Sequence, residues 1–357
     1  MKVQTNQAGA RESSIPGAAA CIAGALLMTC SWAQAQSTVT LQGILDVNVR
    51  MVRNDATLYS LSNDGISGSN FTFRGEEDLG RGLKAGFWLE AGVQSDTGNG
   101  GGSNGLGTAL FNRRSTVQLS SPLGEVRLGR DFTPSYGNIS RFDPFKANGI
   151  ANANNLEPTT ASLGSAAFTL LRTNNAVSYF TPSIGGFFAH AMVAAGEGTP
   201  GQKYRGLRTG YMKPGVEVAV SVGITQGDAA DNDFKVVNVG GMYDFGMVRP
   251  MAFYQKGTYK TRRQDNWLVG VAVPMGAGEV RLSYQQANQS GAGTDANDAT
   301  QVAVGYVHRL SKRTALYGNT ARVSNKGTQT YRASSSGGAL TPGATSTGAE
   351  IGIQHIF

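Results

Sequence analysis

Between residues 39 and 51 the chain places Val39, Leu41, Gly43, Leu45, Val47, Val49 and Met51 on one parity and Thr40, Gln42, Ile44, Asp46, Asn48 and Arg50 on the other. This alternation, broken only by Ile44, predicts a strand with one apolar and one polar face. The pattern returns over 84–93, where Phe87, Leu89, Ala91 and Val93 alternate with Gly86, Trp88, Glu90 and Gly92, and again around Val117, Leu119, Val126 and Leu128. No amphipathic helix of useful length competes with it. Beyond residue 36 no segment carries the run of 18 apolar residues that a membrane helix requires.

The connections sort into two alternating kinds. Short ones with turn chemistry fall at Asp78–Gly82, Ser121–Gly124, Thr181–Gly185, Met212–Gly215, Asp244–Gly246, Pro274–Gly276 and Leu310–Lys312. Long polar ones fall at Val52–Gly65, Ser95–Asn112, Phe132–Leu171, Gly196–Gln202, Gly227–Asp233, Tyr259–Asp265, Asn288–Thr300 and Asn325–Thr347. Seven turns and eight loops join sixteen strands. The expected fold is all-β: an antiparallel up-and-down transmembrane barrel with tight turns at one rim and loops at the other. That arrangement closes every edge and satisfies every backbone group in a bilayer.

Residues 1–36 change the picture of where the chain works. Lys2 and Arg11 precede an apolar stretch from Ala18 to Met28, followed by Ala33-Gln34-Ala35. This is the pattern of a secretory signal peptide, expected at residues 1–35 with a single barrel domain over 36–357. A lipoprotein reading would use Cys30, but threonine before that cysteine fits it poorly. Cleavage after Ala35 removes both cysteines, Cys21 and Cys30, and with them disulfides and thiolate chemistry. It also removes Lys2, Arg11 and Glu12, leaving 29 basic against 23 acidic residues, a charge of +6. The basicity belongs to an exported protein, so nucleic acid is not the natural partner. The 40% hydrophobic residues with only 15% charged exclude a disordered chain, and the absence of a strict period among the 49 glycines excludes a collagen.

Five stretches resemble the general porins of Gram-negative bacteria, in particular their β-proteobacterial branch. These are STVTLQGILD, FRGEEDLGRGLKAGFWLE, LFNRRSTVQLSSPLGEVRLGRDFTPSY, RTNNAVSYFTPSIGGF and the terminal GIQHIF. The resemblance implies a homotrimer of barrels in the outer membrane, in contact with lipid and lipopolysaccharide, each with a water-filled pore narrowed by an inward-folded third loop. It also implies that the last strand, with Ile353, His355 and Phe357 on one parity, is read by the barrel-assembly machinery. Many relatives carry arginine where this chain has Asn70.

Parity sends Arg50, Arg74, Arg114 and Arg127 into the lumen, and the resemblance adds Arg113, Arg130 and Arg172 to the constriction wall. Arg113 and Arg130 fall on the apolar parity, so their inward facing rests on the resemblance and on a bend at the strand ends. The third loop holds Arg141 and Lys146 against Asp143 and Glu157, a charge of zero. Asp143 and Glu157 are expected either at the constriction or as tethers of the loop to the wall. Arginines in excess of acids favour anions. The expected function is passive diffusion of ions and small hydrophilic solutes, anionic or neutral, with weak to moderate anion selectivity. The alternatives are a substrate-specific channel of the same fold, an outer-membrane barrel hydrolase and a soluble secreted β-sandwich. Gly100 to Gly105 match a dinucleotide-binding spacing, but no βαβ pattern surrounds them. His190, His308 and His355 lie in separate predicted strands, so no catalytic residue, metal site or cofactor is expected.

Overall fold

The computed structural model describes residues 38–157, 163–165, 167, 169–228, 230 and 232–357. The expected leader and its cleavage point at Ala35 lie outside them. In chain order the strands are β1 (Thr38–Arg53), β2 (Thr57–Asn63), β3 (Asn70–Gly80), β4 (Leu83–Gln94), three two-residue strands β5 (Asn99–Gly100), β6 (Gly102–Ser103) and β7 (Thr108–Ala109), β8 (Arg114–Ser121), β9 (Gly124–Phe132), β10 (Arg172–Phe180), β11 (Phe187–Ala194), β12 (Tyr204–Lys213) and β13 (Val216–Gln226). They continue with β14 (Asp233–Tyr243), β15 (Arg249–Tyr259), β16 (Arg262–Met275), β17 (Gly278–Ser290), β18 (Ala299–Arg309), β19 (Thr314–Asn325) and β20 (Thr345–Ile356). The wall consists of β1, β3, β4 and β8 through β20, each antiparallel to its neighbours, making a closed barrel of 16 strands. Closure is made by β20 on β1, in register from Ile44↔Ile356 to Arg53↔Thr347.

Alternation decides facing as expected. Val39, Leu41, Val49, Val117, Leu128, Val237, Val302 and Ile351 are exposed on the outside, whereas Asp46, Asn48, Asn238, Gln255 and Gln301 are buried inside. In a barrel that crosses a bilayer, the exposed apolar row is the lipid-facing belt. Each of the seven expected turns joins two wall strands. Pro214-Gly215, for example, links β12 to β13 with Gly215 at φ +82, a backbone that a side chain would strain. The terminal residues obey the same parity. Ile351, Ile353 and Phe357 are exposed, and the Phe357 ring lies over Gly43, with Phe357 N donating to Gly43 O at 3.0 Å.

Two connections differ from expectation. Val52–Gly65 is not a loop: β1 and β2 form a hairpin in register from Val47↔Asn63 to Arg53↔Thr57, and β3 takes up the lower half of the same edge of β1. Between β2 and β3 the chain detours at Asp64–Ser69. The detour is held by Asp46, whose carboxylate accepts from the backbone of Gly65 (3.1 Å), Ile66 (2.9 Å) and Ser67 (3.0 Å). Tyr259–Asp265 is not a loop either, because β15 and β16 pair through Tyr259↔Arg262 and leave a two-residue turn. The charged residues that suggested a loop there sit at the rim of the strands, where the outer face needs no apolar side chains.

The long third connection, Phe132–Leu171, carries helix α1 (Pro134–Phe142), whose N-cap Thr133 accepts from Tyr136 N at 3.4 Å, and a 3₁₀ turn at Ala153–Leu156. It packs against the inner wall on inward-facing glycines. Phe142 lies on Gly240 of β14, and Pro144 lies on Gly270 of β16. A Cβ at Gly305 of β18 would fall 2.7 Å from Phe145, and one at Gly348 of β20 would fall 3.3 Å from Ile150. The glycines are shallow seats for the loop.

Candidate pore constriction

The wall facing the loop is built from β3, β4, β8, β9 and β10. Trp88 of β4 stands between two guanidinium groups, Arg114 at 4.4 Å and Arg74 at 5.6 Å from its ring centre. Its indole N–H donates to Glu90 at 3.2 Å, and Glu90 in turn accepts from Arg113 Nε at 2.6 Å. Arg114 lies 3.4 Å from Asp131, and Arg127 pairs with Asp131 at 3.1 Å and also with Glu125, its guanidinium covering Phe180 at 4.1 Å. Arg50 is paired with Glu350 at 2.8 Å. Arg172 differs from the ion-paired arginines and resembles Arg74, for which no ion pair is formed among the described residues either. It stacks on Phe132 at 3.9 Å, and Phe132 stacks on Tyr136 of α1 at 5.1 Å. No carboxylate of the described residues lies within 4.0 Å of Arg172, and its buried Nε has no hydrogen-bond partner.

Arg113, Arg172, Lys146, Glu90, Asp64 and Asn70 all line one cavity of about 640 Å³ between wall and loop. Three cations therefore face two acids. Arg113 reaches it although alternation puts it on the apolar parity, because it precedes β8 and so is not bound by strand alternation. Arg74 lines a smaller neighbouring pocket with Trp88 and Gln118. Arg130, expected beside Arg113 and Arg172, is placed elsewhere. It keeps the parity of Leu128 and donates to Asn112 O at 2.6 Å and to Asn174 Oδ1 at 2.7 Å, opposite the irregular stretch between Thr173 and Ala176. Asn174 and the backbone of the second long connection occupy its donors.

Asp143 and Glu157 are also away from the cavity, each only 1% exposed. Asp143 folds the loop on itself by accepting from Phe145 N (2.9 Å), Ala147 N (3.0 Å) and Ala153 N (2.8 Å), and burial raises its carboxyl above the ordinary range. Glu157 receives Gln255 Nε2 of β15, and burial pushes its pKa up to about 8. Neither sets a carboxylate across the lumen from the arginines. Lys146, which no periodicity argument singled out, is the charged residue among those of the loop that face the cavity, and desolvation lowers its pKa.

The fold has known counterparts. The Gram-negative porin family matches residues 18–328. Outer membrane porin protein 32 of Delftia acidovorans is 38% identical, with 94% of this chain and 99% of that protein covered. The chain belongs to the Gram-negative porin family. A solved anion-selective porin from Comamonas acidovorans superposes on this porin with a TM-score of 0.81 at 35% identity, covering 90% of this chain and all of the other. The trimer form of OmpT from Vibrio cholerae, at 14% identity and TM-score 0.66, shares the fold. The protein is thus an outer-membrane porin.

Sequence reasoning passed over the residues that hold the porin's third loop in place. Inward glutamines on four successive strands donate to it. Besides Gln255, Gln264 of β16 reaches Leu156 O at 2.7 Å, Gln285 of β17 reaches Ala153 O at 3.0 Å and Gln301 of β18 reaches Asn152 O at 3.0 Å. Their signal was present as glutamine at lumen-parity positions, where a solvated wall would tolerate any polar residue. Glu157 adds a titratable group to this row. Its folded value of about 8 exceeds the ordinary 4.5, so the bound proton stabilises the loop contact fully below pH 4.5. That contribution declines as pH rises and is gone above about 8. Glu157→Gln keeps a donor and acceptor without the charge. It is expected to flatten the fall in heat stability between pH 5 and pH 9, measured by circular dichroism in detergent, and an unchanged fall in the variant would refute the assignment.

Proposed function

We propose that this porin is a homotrimeric general diffusion channel that passes small anions and neutral hydrophilic solutes passively, prefers anions, and performs no chemical step. The observation that carries the selectivity is Arg172, a wall guanidinium on the constriction cavity with no carboxylate within 4.0 Å among the described residues. Lys146, which has no ion pair among the described residues, adds to it, whereas Arg113 is paired with Glu90 at 2.6 Å, and Asp143 and Glu157 are withdrawn into loop packing. Unpaired cations beside a narrow aqueous path concentrate anions and repel cations. The anion-selective porin of Comamonas acidovorans and the trimer form of OmpT support the reading by similarity. The chain is exported with cleavage after Ala35, and its lipid-facing end, Ile353, His355 and Phe357, is the handle for the barrel-assembly machinery. Lipid and lipopolysaccharide surround the assembled trimer.

The test is the zero-current potential of purified protein in a planar bilayer under a KCl gradient. An anionic sign with current steps in groups of three is expected. A cationic sign would overturn the selectivity.

A further inference from the structure

The third connection is not alone in folding inward. The last one, residues 326–344 between β19 and β20, buries Tyr331 and Ala333 in the same apolar cluster as Phe145, Ala151 and Leu156 of the third. The Tyr331 hydroxyl donates to Gln264 Oε1 at 2.6 Å, and Gln264 Nε2 donates in turn to Leu156 O at 2.7 Å. A Cβ on Gly348 of β20 would meet Ala333 at 3.2 Å and Ile150 at 3.3 Å, so one glycine seats both segments. A cavity of about 470 Å³ is lined by Ser334 and Ser336 of the last connection and by Asn152 and Asn154 of the third. Asp64 and Asn154 line this space and the constriction cavity alike, so the one opens onto the other.

Arg50 and Glu350 stand where the two segments meet. They face each other across the seam of β1 and β20, with their side chains 9% and 0% exposed. Each partner also holds one connection. Arg50 Nη1 donates to Ser334 Oγ at 3.2 Å, and Glu350 Oε1 accepts from Ile150 N at 3.3 Å. Arg50 Nε donates to Glu350 and Nη2 donates to Asn63 O at 3.1 Å, so all three guanidinium nitrogens are engaged. A cation neutralised in this way adds little to an ion filter, whereas a buried pair fixes the groups that its further hydrogen bonds reach. We infer that Arg50 and Glu350 are positioning residues of the channel: their ion pair fastens the last connection through Ser334 and the third through Ile150, so that two inward segments held by one clamp set the width of the path. The inference rests on the reading of this barrel as an open diffusion channel.

The test is limited trypsin digestion of the folded porin together with its single-channel current in KCl. Trypsin reports on both segments, because Arg141 and Lys146 lie in the third connection and Lys326 and Arg332 in the last. The double variant Arg50→Met, Glu350→Met removes the clamp without leaving an unpaired buried charge in the seam. Both segments are expected to be cut about tenfold faster than in the native porin, the effect of losing one or two hydrogen bonds when cleavage follows opening. Open-channel current is expected to become larger and noisier. A pair that served the barrel alone would lower the yield of folded protein and leave the current through folded channels unchanged. Ser334→Ala, outside the wall, is expected to speed cutting at Lys326 and Arg332 about fivefold, and at Arg141 and Lys146 less. Native cutting rates at either segment of the double variant, or an unchanged current, would overturn the clamp. Should the double variant not fold, native rates in Ser334→Ala overturn it by themselves. Absence of current from the native porin would overturn the diffusion reading, and the cutting rates would still decide the clamp.

Discussion

Replacing Arg172 with glutamate is expected to lower the anion-to-cation permeability ratio roughly thirtyfold, read from the zero-current potential under a KCl gradient. The size follows from charge alone. A unit charge about 5 Å from an ion in water contributes about 0.8 kcal/mol, reversing the sign doubles the change, and the ratio takes it twice because the cation gains what the anion loses, a total that screening at 0.1 M salt brings to about 2 kcal/mol. The effect should grow as ionic strength falls, because screening acts over about 10 Å at 0.1 M salt. Arg74→Gln serves as the comparison. Arg74 lies against Trp88 outside the main cavity, so its loss should move the potential little. A ratio unaltered by Arg172→Glu would mean that ions pass out of reach of this guanidinium, and the selectivity would have to be sought at Arg113 and Lys146 instead.

Phe142→Ala is expected to loosen the third loop by about 3–5 kcal/mol, the usual cost of emptying a buried aromatic site. The ring is fully buried between α1 and the wall, beside Ile139, Phe253 and Leu268, and it lies on Gly240. Gly240→Val attacks the same contact from the other side. Any Cβ there meets the Phe142 ring, so about 1–3 kcal/mol of overpacking is expected. The two changes share one space, so the double variant should be less damaged than the sum of the singles. Two measurements follow the loop: the rate of limited proteolysis within 132–171, and open-channel conductance, which should rise or become noisy as the loop leaves its seat. Strict additivity would show that ring and glycine are not partners in solution. The same pair matters to function, because Tyr136, on the helix that Phe142 ends, stacks on Phe132, which supports Arg172.

Much of this architecture could be read along the chain. The parity of Val39 to Met51 assigns the lipid and lumen faces of β1 without reference to any other strand, because a strand must alternate. The seven turns were equally legible. Pro214-Gly215 and Asp244-Phe245-Gly246 carry their own backbone chemistry and need no distant contact to bend. Other features were hidden for definite reasons. The Asp64–Ser69 detour depends on the Asp46 carboxylate, about twenty residues earlier, and the charged rim of β15 and β16 looks like a loop until the two edges are seen to pair.

The candidate site divides along the same line. Composition and parity placed an excess of arginine on the lumen side, yet they could not distinguish Arg127, neutralised by Glu125 and Asp131, from Arg172, which has no such partner. They left Asp143 and Glu157 open between the constriction and a tether of the loop to the wall, because the contact that ties Glu157 down comes from β15, about a hundred residues later. Arg130 was misplaced because its partners are a loop carbonyl and Asn174, neither of which has a period. By itself the sequence determined the strand count, the alternation and the turns, all consequences of local backbone geometry. Which charges remain unpaired and where the third loop rests were decided by tertiary structure, since pairing and seating depend on distances of a few ångströms between groups far apart in the chain.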